Sequence, residues 1–222
     1  MINRVGLWDL WSEAIRGKSI GRILTNEIIR QWRGQSGGVI LDLASGREPS
    51  YWRILGFKDS QTIRLVSVDC NPAVRPMVVA DLTRPLPFKD EVADGAIVAS
   101  FLYIVPDPLA LLKEVQRVIK SGGWLLITAP LVFPYTPEPT DYWRFTKEGL
   151  QLLLRNSCFE QIDIHSAGGR FSSVAYLLSP FLRPRWLVAP IVYWLCLKLD
   201  AWAKHFGLPE CPIGYVVMAR KP

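Results

Sequence analysis

The chain has 222 residues, half of them apolar, and 26 Lys and Arg against 20 Asp and Glu give a formal net charge of +6. This length is enough for one well-buried core but short for two full domains, and the composition is that of a globular protein. The modest positive charge fits a nucleic-acid partner, acidic lipid headgroups, or solubility alone.

The cysteines and the N-terminal segment bear on the cellular compartment. Cys70, Cys158, Cys196 and Cys211 are scattered, without a CxxC pair, and the chain has only two histidines. We therefore expect no metal site and a reduced, cytoplasmic protein. Charges interrupt the apolar pattern of the first 18 residues, which predicts that this segment is not a signal peptide.

Hydrophobic periodicity predicts the order of the secondary-structure elements. Apolar positions at helical spacing between Leu7 and Trp32, interrupted by Gly17 and Gly21, predict two short amphipathic helices. Strands and helices then alternate, which is typical of a parallel sheet covered on both faces. The predicted strands are Val39–Leu43, Leu65–Asp69, Met77–Ala80, Gly95–Ala99, Trp124–Ala129, Gln161–His165 and Tyr215–Arg220. The helices predicted between them are Ser50–Leu55, Pro108–Ile119, with Asp107 as its N-cap, and Lys147–Asn156.

Two further segments complete the domain organisation. The glycines of Ser121–Gly123 predict a helix stop and a turn ahead of the fifth strand. A long apolar insert separates the last two strands. We expect a single domain made of N-terminal helices (1–37), a cofactor-binding core (38–170), the insert (172–212) and a last strand (213–222).

The ends of the first two predicted strands indicate a nucleoside-like ligand. In VILDLASGREP, Val39–Pro49, an apolar run ends at Asp42 and turns through small residues, and in VSVDCNP a second run ends at Asp69. Such a turn lets the backbone approach a ligand, and the second carboxylate is placed to bind ribose hydroxyls. The turn lacks the GxGxxG pattern, which disfavours an NAD-binding or nucleotide-sugar enzyme.

In this order the segments resemble the class I S-adenosylmethionine-dependent methyltransferases, in particular the methyltransferase type 11 group. LDLASGREP is similar to the glycine-rich first motif, VDCNP to the acidic second motif, and Ala80–Pro130 to the remaining motifs. The resemblance covers about Gly38–Phe159. It implies a Rossmann-like α/β fold with a seven-stranded, mostly parallel sheet, helices on both faces and an antiparallel last strand. It also implies methyltransferase activity with S-adenosylmethionine as the cofactor.

The resemblance implies cofactor-binding residues at four strand ends. Asp42 is expected to organise the turn and interact with the amino group of the cofactor, and Asp69 is expected to bind the ribose. Asp81 is expected to bind the adenine amino group. Each acid taken alone also fits a strand cap, a turn or a surface position, and it is their order that favours binding. The full set is Asp42, Ala44, Ser45, Gly46, Asp69, Cys70, Asp81, Leu82, Ser100 and Phe101.

The first motif departs from the family pattern. Only Gly46 remains of its glycines, with Arg47 and Glu48 following, and Tyr103 and Ile104 stand where a polar pair is common. A second hypothesis is therefore a catalytically inactive binding module that has kept the methyltransferase fold.

The segment Pro134–Thr146, PYTPEPTDYWRFT, resembles the PxDYWRFT stretch of bacterial methyltransferases in this group. It follows the fifth strand and is therefore expected at the ligand-binding edge of the sheet. Asp141 is a candidate to accept a proton, Tyr142 to orient the acceptor, and Arg144 to bind an anionic group on it. The alternative is a Pro-rich lid whose aromatic side chains pack on the core while Thr146 caps the next helix.

The apolar insert has three alternative roles. Arg183–Arg185 and Pro190 divide it into apolar stretches shorter than the ~20 residues that cross a bilayer, which predicts no transmembrane helix. Its Trp and basic residues fit a peripheral membrane contact through 174–206. The other two roles are a cap over the acceptor pocket and a dimer surface, and of these two the cap is favoured. We accordingly expect a small-molecule or lipid-linked acceptor and no nucleic-acid partner.

Overall fold

The computed structural model describes residues 6–32, 37–57, 60–137 and 140–222. Within these ranges the chain forms seven strands and seven α-helices. The strands are β1 Gly38–Leu43, β2 Ile63–Asp69, β3 Val78–Val79, β4 Ala93–Ala99, β5 Ile119–Pro130, β6 Glu160–Ala167 and β7 Gly214–Arg220. The helices are α1 Leu7–Ile15, α2 Ile20–Gln31, α3 Ser50–Ile54, α4 Pro108–Val118, α5 Lys147–Asn156, α6 Arg170–Leu178 and α7 Arg185–His205.

The strands form one sheet in the order β3-β2-β1-β4-β5-β7-β6. In this order the first five strands, β3 to β5, run parallel to one another. β7 is antiparallel to both β5 and β6. This is the Rossmann-like sheet with a reversed last strand that the resemblance to the methyltransferases implied. The strand order changes direction between β1 and β4, so a crevice is expected outside the carboxyl ends of these two strands.

Helices cover both faces of the sheet and bury a separate core on each. Leu112 of α4 and Leu150 of α5 belong to the core on one face. Leu24 of α2 and Tyr193 of α7 belong to the core on the other face. Because both faces are covered, the central strands read as nearly continuous apolar runs, which is why they could be located from the sequence.

The predicted helix starts are confirmed by their capping bonds. The Ala110 N–H donates to Oδ1 of Asp107 at 2.9 Å, and the Gly149 N–H donates to Oγ1 of Thr146 at 3.1 Å. These bonds satisfy amide groups that have no partner within the first turn of a helix.

The turn predicted at Ser121–Gly123 is wrong, because these residues lie within β5. They coincide with an irregularity in the β4–β5 pairing, where Ala93 pairs with Ile119 but Gly95 pairs with Trp124. The extra residues are accommodated as a bulge, with Gly122 at a φ of 76°.

The insert folds into α6 and α7, and its predicted division at Pro190 is wrong. Pro190 lies inside α7, which continues through it for 21 residues. By length and composition alone, the segment Trp186–His205 qualifies as a candidate membrane span, with a mean hydropathy of 1.3 and 22% of it buried.

α7 is attached along one side to the domain. Ala189 and Tyr193 are fully buried in the core, and α7 also packs against α1 and α6. The Asp200 carboxylate accepts hydrogen bonds from the N–H groups of Gly169, Phe171 and Ser172 at 2.7–3.1 Å. The only acid of α7 therefore caps the N-terminus of α6.

Candidate active site

A cleft with a volume of about 1250 Å³ opens at the carboxyl ends of β1 and β4. Its floor is the loop Ala44–Pro49 after β1, together with Ala99 and Ser100 at the end of β4. One wall is α2 with the start of α3, and the other includes the end of β5 and the start of β7. The cleft therefore lies at the predicted crevice, where the strand order reverses.

The loop after β1 is held flat against the end of β2. Ala44, Gly46 and Glu48 have φ values of 59°, 58° and 31°, a region that non-glycine residues rarely adopt. The Ser45 N–H donates to the carbonyl of Val68 at 3.2 Å. The small Ala44 takes this left-handed conformation, so the turn forms without a glycine at this position.

Asp69 joins this loop to the end of β2. Its Oδ2 accepts from the Gly46 N–H at 3.0 Å, and its Oδ1 accepts from the Asn71 N–H at 2.9 Å. A carboxylate has about four lone-pair sites, so each oxygen retains the capacity to accept one more hydrogen bond. The half-buried Asp69 therefore suits two neighbouring hydroxyl groups, as in a ribose.

Asp42 is fully buried beneath the loop and does not belong to the described lining of the cleft. Its carboxylate accepts hydrogen bonds from the Tyr51 hydroxyl at 2.8 and 3.1 Å and from Nε1 of Trp52. Burial raises the pKa of this carboxyl to about 7, although both hydrogen bonds oppose the shift. Asp42 thus fixes α3 beneath the turn, while its contact with the cofactor amino group stays a prediction.

The residues predicted for the adenine end lie at the neighbouring strand ends. Val79 of β3 pairs with Asp69 of β2, so Asp81 leaves the sheet at the same edge. Asp81 is exposed and accepts from the N–H and the hydroxyl of Thr83, whereas Leu82 is buried in the core. Among the described residues, the predicted ligands outside the cleft lining are Asp42, Asp69, Cys70, Asp81, Leu82 and Phe101.

Two serines of the predicted set do line the cleft. Ser100 has a φ of 52°, and its N–H donates to Oγ1 of Thr128 at 2.8 Å, which fixes the end of β4 against β5. Ser45 is buried, and its Oγ has no hydrogen-bond partner among the described residues. A ligand or an ordered water that supplies the missing partner lowers the free energy of such a hydroxyl.

The three catalytic candidates lie outside the described lining of the cleft. Arg144 forms an ion pair with Asp141, and the hydrogen bonds from this guanidinium and from the Thr136 N–H lower the Asp141 pKa to about 2. The Arg144 guanidinium also lies 5.8 Å from the ring centre of Tyr103. The pair therefore supports the cleft wall from behind, and Tyr142 is half exposed beside it. Their catalytic roles stay predictions.

An aromatic wall was not predicted from the sequence. Phe133 lies between Tyr103 and Tyr176, with ring centres 5.5 and 6.4 Å apart, and all three line the cleft. Burial raises the pKa of both tyrosines. Tyr176 comes from α6, far along the chain from the strand ends, and no sequence motif marked it.

The expected cap is not formed by α7. Of the residues in the insert, only Tyr176 appears in the described lining of the cleft. α7 packs on the domain instead, with one side buried and the other exposed.

Sequence comparison identifies the fold that carries this cleft. Residues 37–127 match the family model Methyltransf_11, whose description is a methyltransferase domain. This segment of the chain is therefore similar to the methyltransferase type 11 group. The matched segment contains the loop after β1, Asp69 and the end of β4, which are the parts of the chain that position the cleft.

Solved structures share the fold of this chain at low sequence identity. An S-adenosylmethionine-dependent methyltransferase from Archaeoglobus fulgidus is 18% identical, with a TM-score of 0.61 and coverage of 96% of this chain and 99% of that one. Phosphoethanolamine N-methyltransferase 2 of Haemonchus contortus, solved with phosphomonomethylethanolamine and S-adenosylhomocysteine, is 15% identical, with a TM-score of 0.56 and coverage of 89% and 52%. The [4+2]-cyclase SpnF is 19% identical, with a TM-score of 0.57 and coverage of 89% and 80%. No curated protein matches the sequence.

S-adenosylmethionine is the cofactor that the match to a methyltransferase domain indicates. The residues fit it, because the loop after β1 lines the cleft, the buried Ser45 hydroxyl has no partner among the described residues, and Asp69 retains acceptor capacity. The cofactor supplies a methyl group on a sulfonium, and the chain must hold the acceptor in line with it.

Proposed function

We propose that this protein transfers a methyl group from S-adenosylmethionine to a small or lipid-linked acceptor held in the cleft. The observation that carries the proposal is the position of the loop Ala44–Pro49, which is tied to Asp69 on one side and opens into the cleft on the other. Sites for one small ligand usually have volumes of about 300–1,000 Å³. The volume of about 1250 Å³ therefore accommodates an acceptor beside the donor.

The chain acts on this reaction by positioning. Tyr103, Phe133 and Tyr176 offer flat apolar surface to the acceptor, and Arg144 fixes two of these rings through contacts at 5.7–5.8 Å. With its pKa lowered to about 2, Asp141 is a poor proton acceptor at neutral pH, so we assign it a positioning role. Asp141 is therefore not the base for an acceptor that must lose a proton.

Calorimetric titration with S-adenosylhomocysteine tests the proposal. We expect a dissociation constant in the micromolar range, corresponding to about −8 kcal/mol, and no comparable binding of NAD. Binding of NAD in place of S-adenosylhomocysteine would contradict the proposal. Binding without turnover across pools of amine, hydroxyl and thiol acceptors would support the inactive binding module instead.

We further propose that the protein is cytoplasmic and associates peripherally with anionic membranes through the exposed side of α7. The four cysteines are free, which supports a reducing compartment. Trp186, Leu195 and Trp202 are 56%, 48% and 53% exposed, a large apolar area for a soluble surface.

Charge favours an anionic lipid surface as the occupant of this face. Between residues 170 and 210 the acids are Asp200, which is used internally, and Glu210, which pairs with Lys204, whereas five Lys and Arg lie in the same segment. Lys198 lies 5.7 Å from the ring centre of Trp194, so apolar and cationic groups are interleaved. Ala189 and Tyr193 of α7 are buried in the core, which supports a helix that lies along an interface rather than across a bilayer.

Co-sedimentation with vesicles of phosphatidylglycerol and phosphatidylcholine tests the membrane contact. We expect the wild-type protein to pellet at low salt and Leu195→Glu to bind about tenfold more weakly, because it removes buried apolar area and adds a repelled charge. Leu152→Glu is the matched control, since Leu152 is 61% exposed on α5. No pelleting of the wild-type protein, or equal loss in both variants, would contradict the proposal.

A further inference from the structure

The walls of the cleft carry an excess of positive charge. Two acids, Glu13 and Glu48, are among its described lining residues, against six cationic side chains. Glu13 forms ion pairs with Arg16 and Lys18, and Glu27, just outside the cleft, forms one with Arg30. The six cationic residues are Arg16, Lys18, Arg22, Arg30, Arg47 and Arg53.

Three arginines of the cleft have no ion-pair partner among the described residues. Arg22, Arg47 and Arg53 are exposed to the cleft, and none forms an ion pair within the described part of the chain. Like charges along one cleft raise the local positive potential and attract anions. The bound donor adds to this surplus, because its sulfonium is cationic while its amino acid end is a neutral zwitterion.

Asn26 joins the wall that carries two of these arginines. Its Oδ1 lies 3.2 Å from Oγ of Ser50, which connects α2 to α3. Arg22 lies one turn before Asn26 on the same side of α2, and Arg53 lies three residues after Ser50 in α3. Asn26 therefore lies between the two helical positions that present these guanidinium groups.

The amide of Asn26 supplies a second, independent sign of a ligand. Asn26 is only 5% exposed and lines the cleft, and its Nδ2 has no hydrogen-bond partner among the described residues. Leaving such a donor unpaired costs about 1–3 kcal/mol, so a ligand atom that accepts from it is favoured. The missing partner is an acceptor atom, as an oxyanion provides.

We infer that the methyl acceptor carries an oxyanion, such as a phosphate ester, which Arg22, Arg53 and Nδ2 of Asn26 bind together. Planar guanidinium groups match the oxygens of phosphate with paired hydrogen bonds, which a lysine cannot do. Arg47, in the loop after β1, lies on the donor side of the cleft. The inference rests on the proposed function and adds the chemical class of its acceptor.

The test uses the full chain saturated with S-adenosylhomocysteine. Inorganic phosphate and glycerol 3-phosphate are titrated by calorimetry, and vesicles containing phosphatidate are compared with pure phosphatidylcholine vesicles. The wild-type protein is expected to bind at least one of these three phosphate ligands: inorganic phosphate, glycerol 3-phosphate or the phosphatidate of the vesicles. Arg22→Gln and Arg53→Gln are each expected to weaken it about ten- to a hundredfold, the scale of a lost charge-assisted hydrogen bond.

Arg155→Gln is the matched control, because Arg155 is an exposed arginine on α5 outside the cleft lining. Binding restricted to the soluble phosphates or to phosphatidate vesicles identifies the source of the anion, and either supports the inference. Equal weakening by Arg155→Gln, or no binding in any arm, overturns it. If S-adenosylhomocysteine itself binds normally, such a result leaves the proposed function intact, whereas loss of that binding overturns the function.

Discussion

Replacing Asp69 with alanine is expected to weaken S-adenosylhomocysteine binding by about 1.5–3 kcal/mol, or about ten- to a hundredfold in Kd. The substitution removes two acceptor sites for ribose hydroxyls. It also removes the acceptor for the Gly46 N–H, which holds the loop after β1 in place. Calorimetric titration of the wild-type and variant proteins measures the difference directly.

Two further variants separate ribose recognition from loop support. Asp69→Asn retains one carbonyl oxygen and is expected to bind with intermediate affinity. Asp163→Ala removes a carboxylate that is 76% exposed on β6 and should leave binding unchanged. Wild-type affinity in Asp69→Ala would show that this carboxylate does not contact the donor.

Asp42→Asn is expected to change how the stability of the protein depends on pH. The folded protein raises the Asp42 pKa from 3.8 to about 7 because the carboxyl is buried, so the folded state holds this proton more tightly than the unfolded state. The stability that this group contributes is therefore fully present below about pH 4 and is lost as the pH rises towards 7.

Urea denaturation between pH 4 and pH 8 measures this effect. Over that range the free energy of unfolding of the wild-type protein should fall relative to Asp42→Asn by up to about 4 kcal/mol. The asparagine amide keeps an acceptor for Trp52 and a polar partner for Tyr51, so the two proteins should have similar stability near pH 4.

Asp94 provides a control of opposite sign. Burial opposes its ionisation, but its ion pair with Lys120 and its hydrogen bond from the Val39 N–H lower its pKa overall. The contribution of Asp94 is present at neutral pH and is lost as the pH falls through its folded pKa, so Asp94→Asn should be less stable than the wild-type protein only above that range. A pH-independent difference for Asp42→Asn would contradict the assigned burial effect.

The two halves of the cleft differ in how far the sequence predicts them. The donor half consists of a few short segments at strand ends, where Asp42, the loop from Ala44 and Asp69 follow apolar runs. The acceptor half draws on α2, α3 and α6, whose residues carry no common motif. This difference explains why the cofactor could be predicted while the acceptor class required the structure.

Local patterns determined the elements and their order. Buried parallel strands are short apolar runs, and Asp107 and Thr146 cap helices by bonds to residues only three positions away. Such signals depend on neighbours in the chain, so the sequence alone contains them. Together with the resemblance to a known family, they predicted the Rossmann-like sheet, its reversed last strand and the S-adenosylmethionine cofactor.

Long-range packing decided the rest, because it brings together residues that no local pattern relates. Pro190 was expected to divide the insert, but core contacts of Ala189 and Tyr193 hold α7 together as one helix along the domain. Asp42 is buried and holds α3 in place because Tyr51 and Trp52 of that helix donate hydrogen bonds to its carboxylate. In the same way, Arg22 and Arg53 share a cleft wall because α2 packs beside α3. The positive charge of this wall could therefore be assigned only from the tertiary structure.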